Sequence, residues 1–131
     1  MNAIAGKRVL IVEDDQELRE LLRTTLEGEG FTAEIATDGA EGLSRLRRGV
    51  PDLVLLDLVL PRVNGLEVLM ALRSDPAARR VPVIVMTGTQ TQASELRGLG
   101  VVALLYKPFA TDALLARIAA VLRLPQSPAH P

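Results

Sequence analysis

The sequence contains no cysteine, which excludes disulfide bonds, thiol nucleophiles and metal sites with cysteine ligands. Aromatic residues are almost as scarce, with two Phe, one Tyr and no Trp among 131 residues. The core must therefore be built from aliphatic side chains. The hydrophobic share of 48% is sufficient for that, and the length is typical of one domain.

Clustered charge and long apolar stretches are also absent. The chain has fifteen basic and sixteen acidic residues, and no basic run exceeds two residues. A nucleic-acid-binding surface needs a concentrated cationic footprint, so we expect no nucleic acid partner. No apolar stretch approaches membrane-spanning length, and residues 1–7 lack the apolar region of a signal peptide. We therefore expect no membrane association and a cytoplasmic location.

Five short apolar runs divide the chain. They lie at residues 9–12, 31–36, 53–56, 81–86 and 101–105, and the second is weaker because Phe31, Ala33 and Ile35 alternate with polar neighbours. Continuous runs rich in Val, Ile and Leu are typical of strands buried on both faces of a parallel sheet. Leucines and alanines at helical spacing follow each run, beginning near residues 18, 40, 66, 93 and 114. This alternation predicts five strands and five helices, with Thr111 as the N-cap of the fifth helix.

The alternation predicts an α/β fold. We expect a doubly wound, five-stranded parallel sheet of flavodoxin-like topology, with strand order 2-1-3-4-5 and helices on both faces. The predicted domain spans residues 1–124. Residues 125–131 contain Pro125, Pro128 and Pro131, and we expect a disordered tail or linker stub there.

Polar residues follow four of the predicted strands. They are Glu13, Asp14 and Asp15 after the first, Asp57 at the end of the third, Thr87 at the end of the fourth, and Lys107 after the fifth. The carboxyl ends of parallel strands lie at one edge, where ligands bind. Carboxylates held this close repel one another unless they bind a cation or protons. Their oxygen ligands suit Mg²⁺, and a lysine opposite them could neutralise an incoming phosphoryl group.

Each of these residues has a simpler structural explanation when it is taken alone. Asp14 or Asp15 could be a helix N-cap, and Asp57 could be a turn residue. Thr87 could be an ordinary strand residue and Lys107 a solvated side chain. The functional interpretation depends on their convergence at one edge of one sheet. The chain also has only two lysines, Lys7 and Lys107, and the second stands at the end of a predicted strand.

Four ordered motifs resemble the receiver domain of the response-regulator family. They are VLIVEDD at 9–15, PDLVLLDLVLP at 51–61 continued by NGLEVL at 64–69, PVIVMTG at 82–88, and KPF at 107–109. The resemblance extends over residues 7–124 and implies a two-component signalling protein.

The resemblance also implies a role for each site residue. Asp57 would accept the phosphoryl group, and Glu13, Asp14, Asp57 and the Val59 backbone carbonyl would hold Mg²⁺. Asp15 would lie just outside the metal site. Thr87 would be the switch hydroxyl, and Lys107 would pair with the phosphoryl oxygens. The Lys107–Pro108 bond is expected to be cis.

Partners follow from the same resemblance. The phosphoryl donor would be a sensor histidine kinase or a phosphotransfer protein, since the only histidine, His130, lies in the predicted tail. A downstream protein target would bind the face formed by the fourth helix, fifth strand and fifth helix. The protein would be a monomer or a phosphorylation-dependent dimer. It would catalyse its own phosphorylation and dephosphorylation without being a metabolic enzyme.

The sequence departs from the family pattern in three places. Leu104 stands where a switch aromatic is usual, and we expect the nearby Tyr106 to be a packing residue. The connection from Thr87 to Lys107 is shorter than is common, which we assign to residues 88–92. Gly88 replaces a more frequent alanine, a change we expect to be benign. In addition, the apolar Val59 beside the site should hinder attack by water and prolong the phosphorylated state.

Three alternatives stay open from the residues. A nucleotide- or flavin-binding domain would need a phosphate-binding loop after the first strand, where this chain has acidic residues. A Mg²⁺-dependent phosphohydrolase would favour a general acid where Val59 stands. A degenerate receiver would be a constitutive protein-binding module. The sequence is compatible with a complete single-domain regulator and with a receiver taken from a longer protein.

Overall fold

The protein forms a five-stranded parallel sheet. The structure is a computed structural model that describes residues 5–88, 93–96 and 98–122. The strands are β1 (Arg8–Val12), β2 (Thr32–Ala36), β3 (Leu53–Asp57), β4 (Val83–Thr87) and β5 (Val101–Tyr106). Their order is β2-β1-β3-β4-β5, and every neighbouring pair is parallel. The predicted fold class and strand order are therefore confirmed.

Within the described residues, four α-helices cover the two faces of the sheet. They are α1 (Gln16–Gly28), α2 (Gly39–Arg48), α3 (Gly65–Ser74) and α4 (Thr111–Val121). Alternate residues of β1 enter different cores, since side chains alternate along a strand. Leu10 packs with α2 and α3 residues, whereas Ile11 packs with residues of α1 and α4. Two aliphatic cores thus hold the central strands and position their carboxyl ends.

Side-chain caps begin three of the four α-helices in the part of the chain that the structure describes. The carboxylates of Asp15 and Asp38 and the amide oxygen of Asn64 accept hydrogen bonds from the first-turn backbone of α1, α2 and α3. The predicted cap at Thr111 is wrong. Helix α4 already begins at Thr111, and its N-cap, Ala110, makes no side-chain bond. The hydroxyl of Thr111 is therefore one position too late to cap this helix.

The fourth predicted helix is reduced to a single turn among the described residues. A 3₁₀ turn spans Ala93–Leu96, where Leu96 is buried. Gly98 and Gly100 then adopt positive φ angles of 82° and 74°, a conformation that ends a right-handed helix. The face predicted to bind a downstream target therefore lacks a regular fourth helix in this part of the chain. Residues 89–92, to which the shortened connection was assigned, and the predicted tail at 125–131 lie outside the described residues.

One arginine ties together the loops at the opposite end of the sheet from the acidic motif. From α3, the guanidinium of Arg73 donates hydrogen bonds to the carbonyls of Leu99 at 2.6 Å and Val81 at 2.9 Å, and to those of Arg79 and Gly100. Burial lowers the pKa of Arg73 below its usual value. A Cβ at Gly100 would collide with the guanidinium carbon of Arg73. The absence of a side chain at Gly100 therefore leaves room for the guanidinium group.

Replacing Arg73 with alanine should reduce the free energy of unfolding by about 2–3 kcal/mol, because charge-assisted hydrogen bonds to carbonyls in two loops are lost. Urea unfolding followed by circular dichroism measures this change. Arg80→Ala is the matched control, since Arg80 is exposed in the same loop and should change stability by less than about 0.5 kcal/mol. Equal stability of the two variants would mean that the hydrogen bonds of Arg73 to the loop carbonyls do not stabilise the protein.

No helix in the described ranges combines the length and apolar character needed to cross a membrane.

Candidate functional site

Three carboxylates meet where β1 and β3 end side by side. Val12 pairs with Leu56 in the sheet, so the residues that follow lie next to each other. Glu13 and Asp57 are buried, with exposed fractions of 0% and 5%, whereas Asp14 is exposed. One carboxylate oxygen of each lies within 4.8 Å of the others. The structure thus brings together the acidic residues predicted from the strand ends.

Lys107 completes the cluster from the end of β5. Its Nζ donates hydrogen bonds to Glu13 Oε1 at 2.7 Å and to Asp57 Oδ2 at 2.8 Å. Its backbone N–H donates to the Thr87 carbonyl at 2.8 Å, and the following bond to Pro108 is cis, as predicted. The ammonium therefore bridges the two buried carboxylates.

Backbone amides orient the remaining carboxylate oxygens. Asp57 Oδ1 accepts a hydrogen bond from the Val59 N–H at 2.9 Å, and Glu13 Oε2 accepts one from the Asp15 N–H at 3.1 Å. Asp15 itself caps α1, which agrees with its predicted position outside the carboxylate cluster. The side chain of Val59 is 60% exposed at the rim of the site. Both buried carboxylates are thus held in defined orientations by protein groups.

The electrostatics of the cluster favour a further cation. Burial raises the pKa of Glu13, and the hydrogen bond from Lys107 opposes that effect only in part. Burial alone would lower the pKa of Lys107, but hydrogen bonds to Asp57 and Glu13 outweigh it and raise that pKa above its usual value. The lysine is therefore firmly charged at neutral pH. A single ammonium still faces three carboxylates, and hard oxygen ligands in this number suit a divalent ion such as Mg²⁺.

Thr87 and the end of β5 form the far side of the site. Thr87 is buried at the end of β4 and pairs in register with Tyr106. Leu104, at the position expected for a switch aromatic, is partly buried against the α2/α3 core. The sequence predicted that Tyr106 is a packing residue. Tyr106 is 50% exposed, so only about half of its surface can pack against the protein.

Arg19 is a residue near the site that the sequence interpretation missed. From the first turns of α1, its Nη1 donates to the backbone carbonyls of Glu13 at 3.1 Å and Asp14 at 3.2 Å. The sequence feature that could have indicated this contact is the position of Arg19, four residues after the helix cap Asp15 and on the helix face nearest the preceding loop. That spacing alone does not distinguish it from a solvated arginine.

A second missed contact holds the loop between β3 and α3. Arg62 adopts a φ of 70°, unusual for a residue with a side chain, and its guanidinium lies 3.4 Å from the carboxylate of Asp38. The hydrogen bond donated by the Glu41 backbone N–H is the largest effect lowering the pKa of Asp38, and Arg62 adds to it. The backbone of Val63 packs directly on Gly39, where a Cβ would lie within 1.8 Å of the Val63 carbonyl oxygen. This loop carries Val59 and is thereby anchored to the start of α2.

Comparison with known proteins identifies the family. The model of the response regulator receiver domain matches residues 9–119. The chain is 41% identical over 118 residues to the phosphate regulon transcriptional regulatory protein PhoB of Rhizobium meliloti, and 42% identical to the response regulator MprA of Mycobacterium leprae. These matches cover 88% of this chain and 52% and 51% of the relatives, so the chain spans about half their length. The chain belongs to the response regulator receiver domain family.

Solved structures agree with this assignment. Chemotaxis response regulator CheY4 of Vibrio cholerae superposes with a TM-score of 0.83 at 27% identity, covering 89% of this chain and 99% of that one. The receiver domain of a sensor histidine kinase from Pseudomonas aeruginosa superposes with a TM-score of 0.81 at 26% identity, covering 91% and 99%. The latter structure has a magnesium ion coordinated in its active site cleft.

Proposed function

We propose that this receiver is phosphorylated on Asp57 in a Mg²⁺-dependent reaction and thereby switches a protein-binding surface. The observation that carries the proposal is the bridge from Lys107 to Asp57 and Glu13 inside the acidic cluster. A buried aspartate with its own ammonium, beside two further carboxylates, is equipped to gain and hold a phosphoryl group.

The donor set fits Mg²⁺. Glu13, Asp14 and Asp57 would contribute carboxylate oxygens, and the Val59 backbone carbonyl would add a further oxygen. When bound, the ion would supply positive charge to the phosphoryl oxygens during transfer. A related receiver with magnesium in its cleft supports this choice of metal.

The chain's own residues account for the rest of the reaction. A carboxylate oxygen of Asp57 attacks phosphorus and forms an acyl phosphate, while the bond from phosphorus to the donor nitrogen breaks and the leaving imidazole takes up a proton. Lys107 moves its hydrogen bond from the carboxylate to the phosphoryl oxygens, whose charge it offsets. The hydroxyl of Thr87 then turns toward the same oxygens and transmits the change to β4 and β5.

Two surfaces are proposed for partners. A sensor histidine kinase or phosphotransfer protein would bind the groove beside the site, which is lined by Leu18, Leu21, Lys107, Pro108 and Phe109 among others. Half of the Leu21 side chain is exposed there and offers an apolar contact. A downstream target would bind the face formed by β5 and α4. The half-exposed side chains of Val102 and Tyr106 on β5 support that surface.

The direct test is incubation with Mg²⁺ and acetyl phosphate, followed by intact mass measurement. We expect one added phosphoryl group on the wild-type protein and none on Asp57→Asn or after EDTA treatment. Asp112→Asn is the matched control, because Asp112 is an exposed carboxylate in the first turn of α4 and is not one of the three that form the acidic cluster. It should be modified like the wild type.

Absence of an adduct on a protein that binds Mg²⁺ would refute the phosphoacceptor role and favour the constitutive binding module.

The same samples test the hypothesis that Val59 slows the loss of the phosphoryl group. After the donor is removed, slow loss of the added mass would agree with an apolar side chain that hinders attack by water. Rapid loss in the presence of Mg²⁺ would contradict that hypothesis.

A further inference from the structure

One residue of α1 holds the backbone carbonyls of the loop that carries the acidic pair. The carbonyls of Glu13 and Asp14 both accept hydrogen bonds from Arg19 Nη1, at 3.1 and 3.2 Å. The carbonyl of Asp15 accepts one from the Arg19 backbone N–H at 2.9 Å. Three consecutive carbonyls of the loop are therefore bonded to the same residue.

The other bonds of the loop fix its amides. The Glu13 N–H donates to the Ala36 carbonyl at 3.1 Å, and the Asp15 N–H donates to Glu13 Oε2. The peptide group after Asp14 is thus restrained through its N–H, and among the described residues the restraint on the peptide group after Glu13 comes at its carbonyl. The Arg19 side chain supplies that restraint, and the exposed carboxylate of Asp14 lies on the segment it holds.

We propose that Arg19 is a positioning residue for the divalent cation site. By fixing the carbonyls of Glu13 and Asp14, it keeps both carboxylates directed at the space beside Asp57, so that the loop need not become ordered when the ion binds. Groups that orient metal ligands typically change metal affinity by about 10- to 100-fold when they are removed. This inference rests on the proposed Mg²⁺ site and names the residue that pre-organises it.

The sign of the effect separates this role from simple electrostatics. Removing a positive charge near a cation site should by itself strengthen cation binding. Loss of positioning should weaken it. Arg19→Ala should therefore raise the Mg²⁺ dissociation constant by about tenfold, the low end of the range, because the carboxylates themselves remain.

The experiment is titration of each protein with Mg²⁺ alone, by calorimetry at a temperature where thermal unfolding shows all variants to be folded. Arg23→Ala is the matched control. Arg23 lies one turn further along α1 and forms an exposed ion pair with Glu20 at 3.9 Å. It should bind Mg²⁺ within about twofold of the wild type. Arg19→Gln keeps a side chain of similar reach and helix propensity should the alanine variant prove unstable, and it should also weaken binding.

Phosphorylation by acetyl phosphate gives a second readout. The Mg²⁺ concentration for half-maximal rate should rise about tenfold in Arg19→Ala, in step with the dissociation constant, while the rate at saturating Mg²⁺ stays near that of the wild type. Arg19→Lys should recover part of the affinity, because an ammonium can still donate to a loop carbonyl.

The outcomes distinguish this inference from the proposed function. Unchanged or tighter Mg²⁺ binding in both Arg19→Ala and Arg19→Gln, with normal binding by the wild type, would overturn the positioning role alone. Failure of the wild type to bind Mg²⁺ would overturn the proposed function and this inference together.

Discussion

Replacing Lys107 with methionine should destabilise the metal-free protein by about 3 kcal/mol at neutral pH. The change removes the ammonium that bridges Glu13 and Asp57 but keeps most of the apolar stem. Breaking a buried ion pair by removing one partner costs about 3–5 kcal/mol. We expect the lower end of that range because the Lys107 side chain is still 24% exposed. Thermal unfolding followed by circular dichroism should show a loss of about 10 °C.

The stability that Lys107→Met loses relative to the wild type should depend on pH in a defined direction. The folded-state pKa of Glu13 is raised by burial, and the hydrogen bond from Lys107 lowers it in part. Without that bond the pKa rises further, whereas in the unfolded chain it stays near 4.5. Between these two values the folded state binds more protons than the unfolded state, so stability falls as pH rises. The variant should therefore approach the wild type below about pH 4.5 and differ most at neutral pH and above.

Mg²⁺ should restore part of the lost stability, because a divalent ion can compensate the same carboxylates. Lys7→Met is the matched control, since Lys7 is the only other lysine and precedes β1 at the opposite end of that strand. It should leave stability within about 0.5 kcal/mol of the wild type. A Lys107→Met protein as stable as this control, at every pH, would mean that the buried carboxylates do not depend on the ammonium.

The parts of the site that could be predicted from the sequence are those placed by strand ends. Glu13, Asp57, Thr87 and Lys107 each follow or end an apolar run, and in a parallel sheet those ends lie at one edge. No information about side-chain contacts was needed for that step. The strand order brought β1 and β3 together, and the carboxylates then had to be neighbours.

The arginine contacts could not be predicted in the same way. Arg62 and Arg73 donate to groups that only the tertiary arrangement brings within reach. Arg19 donates to carbonyls five and six residues earlier in the chain, in the loop before its own helix. Long flexible side chains at helical surface positions look alike in a sequence, whether they are solvated or form a clamp. Arg19 stands four residues after the helix cap Asp15 and Arg23 one turn further along, but this spacing does not reveal that Arg19 holds the loop.

The two local errors have physical causes. Leucine spacing near residues 93–99 indicated a helix, but the left-handed conformations of Gly98 and Gly100 limit what can form before β5. The cap at Thr111 was misplaced by one residue because helix boundaries depend on backbone angles that the sequence constrains weakly. Both errors lie next to β5, at the surface proposed to bind a downstream target.

Replacing Gly65 with alanine should also be strongly destabilising, because the start of α3 rests directly on the backbone of Asp57 and Leu58. A Cβ at this position would lie 2.5 Å from the carbonyl oxygen of Asp57 and 2.5 Å from the Cα of Leu58. The Gly65 N–H also donates to the Leu58 carbonyl at 2.9 Å. Backbone atoms cannot rotate away as a side chain can, so α3 must move or Asp57 must shift. We expect a loss of about 3 kcal/mol in urea unfolding, the upper part of the usual range for overpacking.

Two other glycines of the same chain serve as controls. Gly28 ends α1, Gly88 follows Thr87, and a Cβ at either would meet no atom within 4 Å. Neither adopts a left-handed φ, so Gly28→Ala and Gly88→Ala should be neutral or stabilise the protein by up to about 1 kcal/mol. The Gly88 variant also tests directly whether that departure from the family pattern is benign.

The rate of phosphorylation should show whether Gly65→Ala moves α3 or shifts Asp57. If α3 moves, Gly65→Ala is destabilised but still accepts a phosphoryl group from acetyl phosphate at a near-normal rate where it is folded. If Asp57 shifts instead, its hydrogen bonds to Lys107 and the Val59 N–H are disturbed, and the rate falls as well. We expect the second result, because Asp57 Oδ1 is bonded within the same short loop on which Gly65 packs. A variant as stable as the wild type would show that α3 can move away without loss of stability, and that this close contact does not hold Asp57 in place.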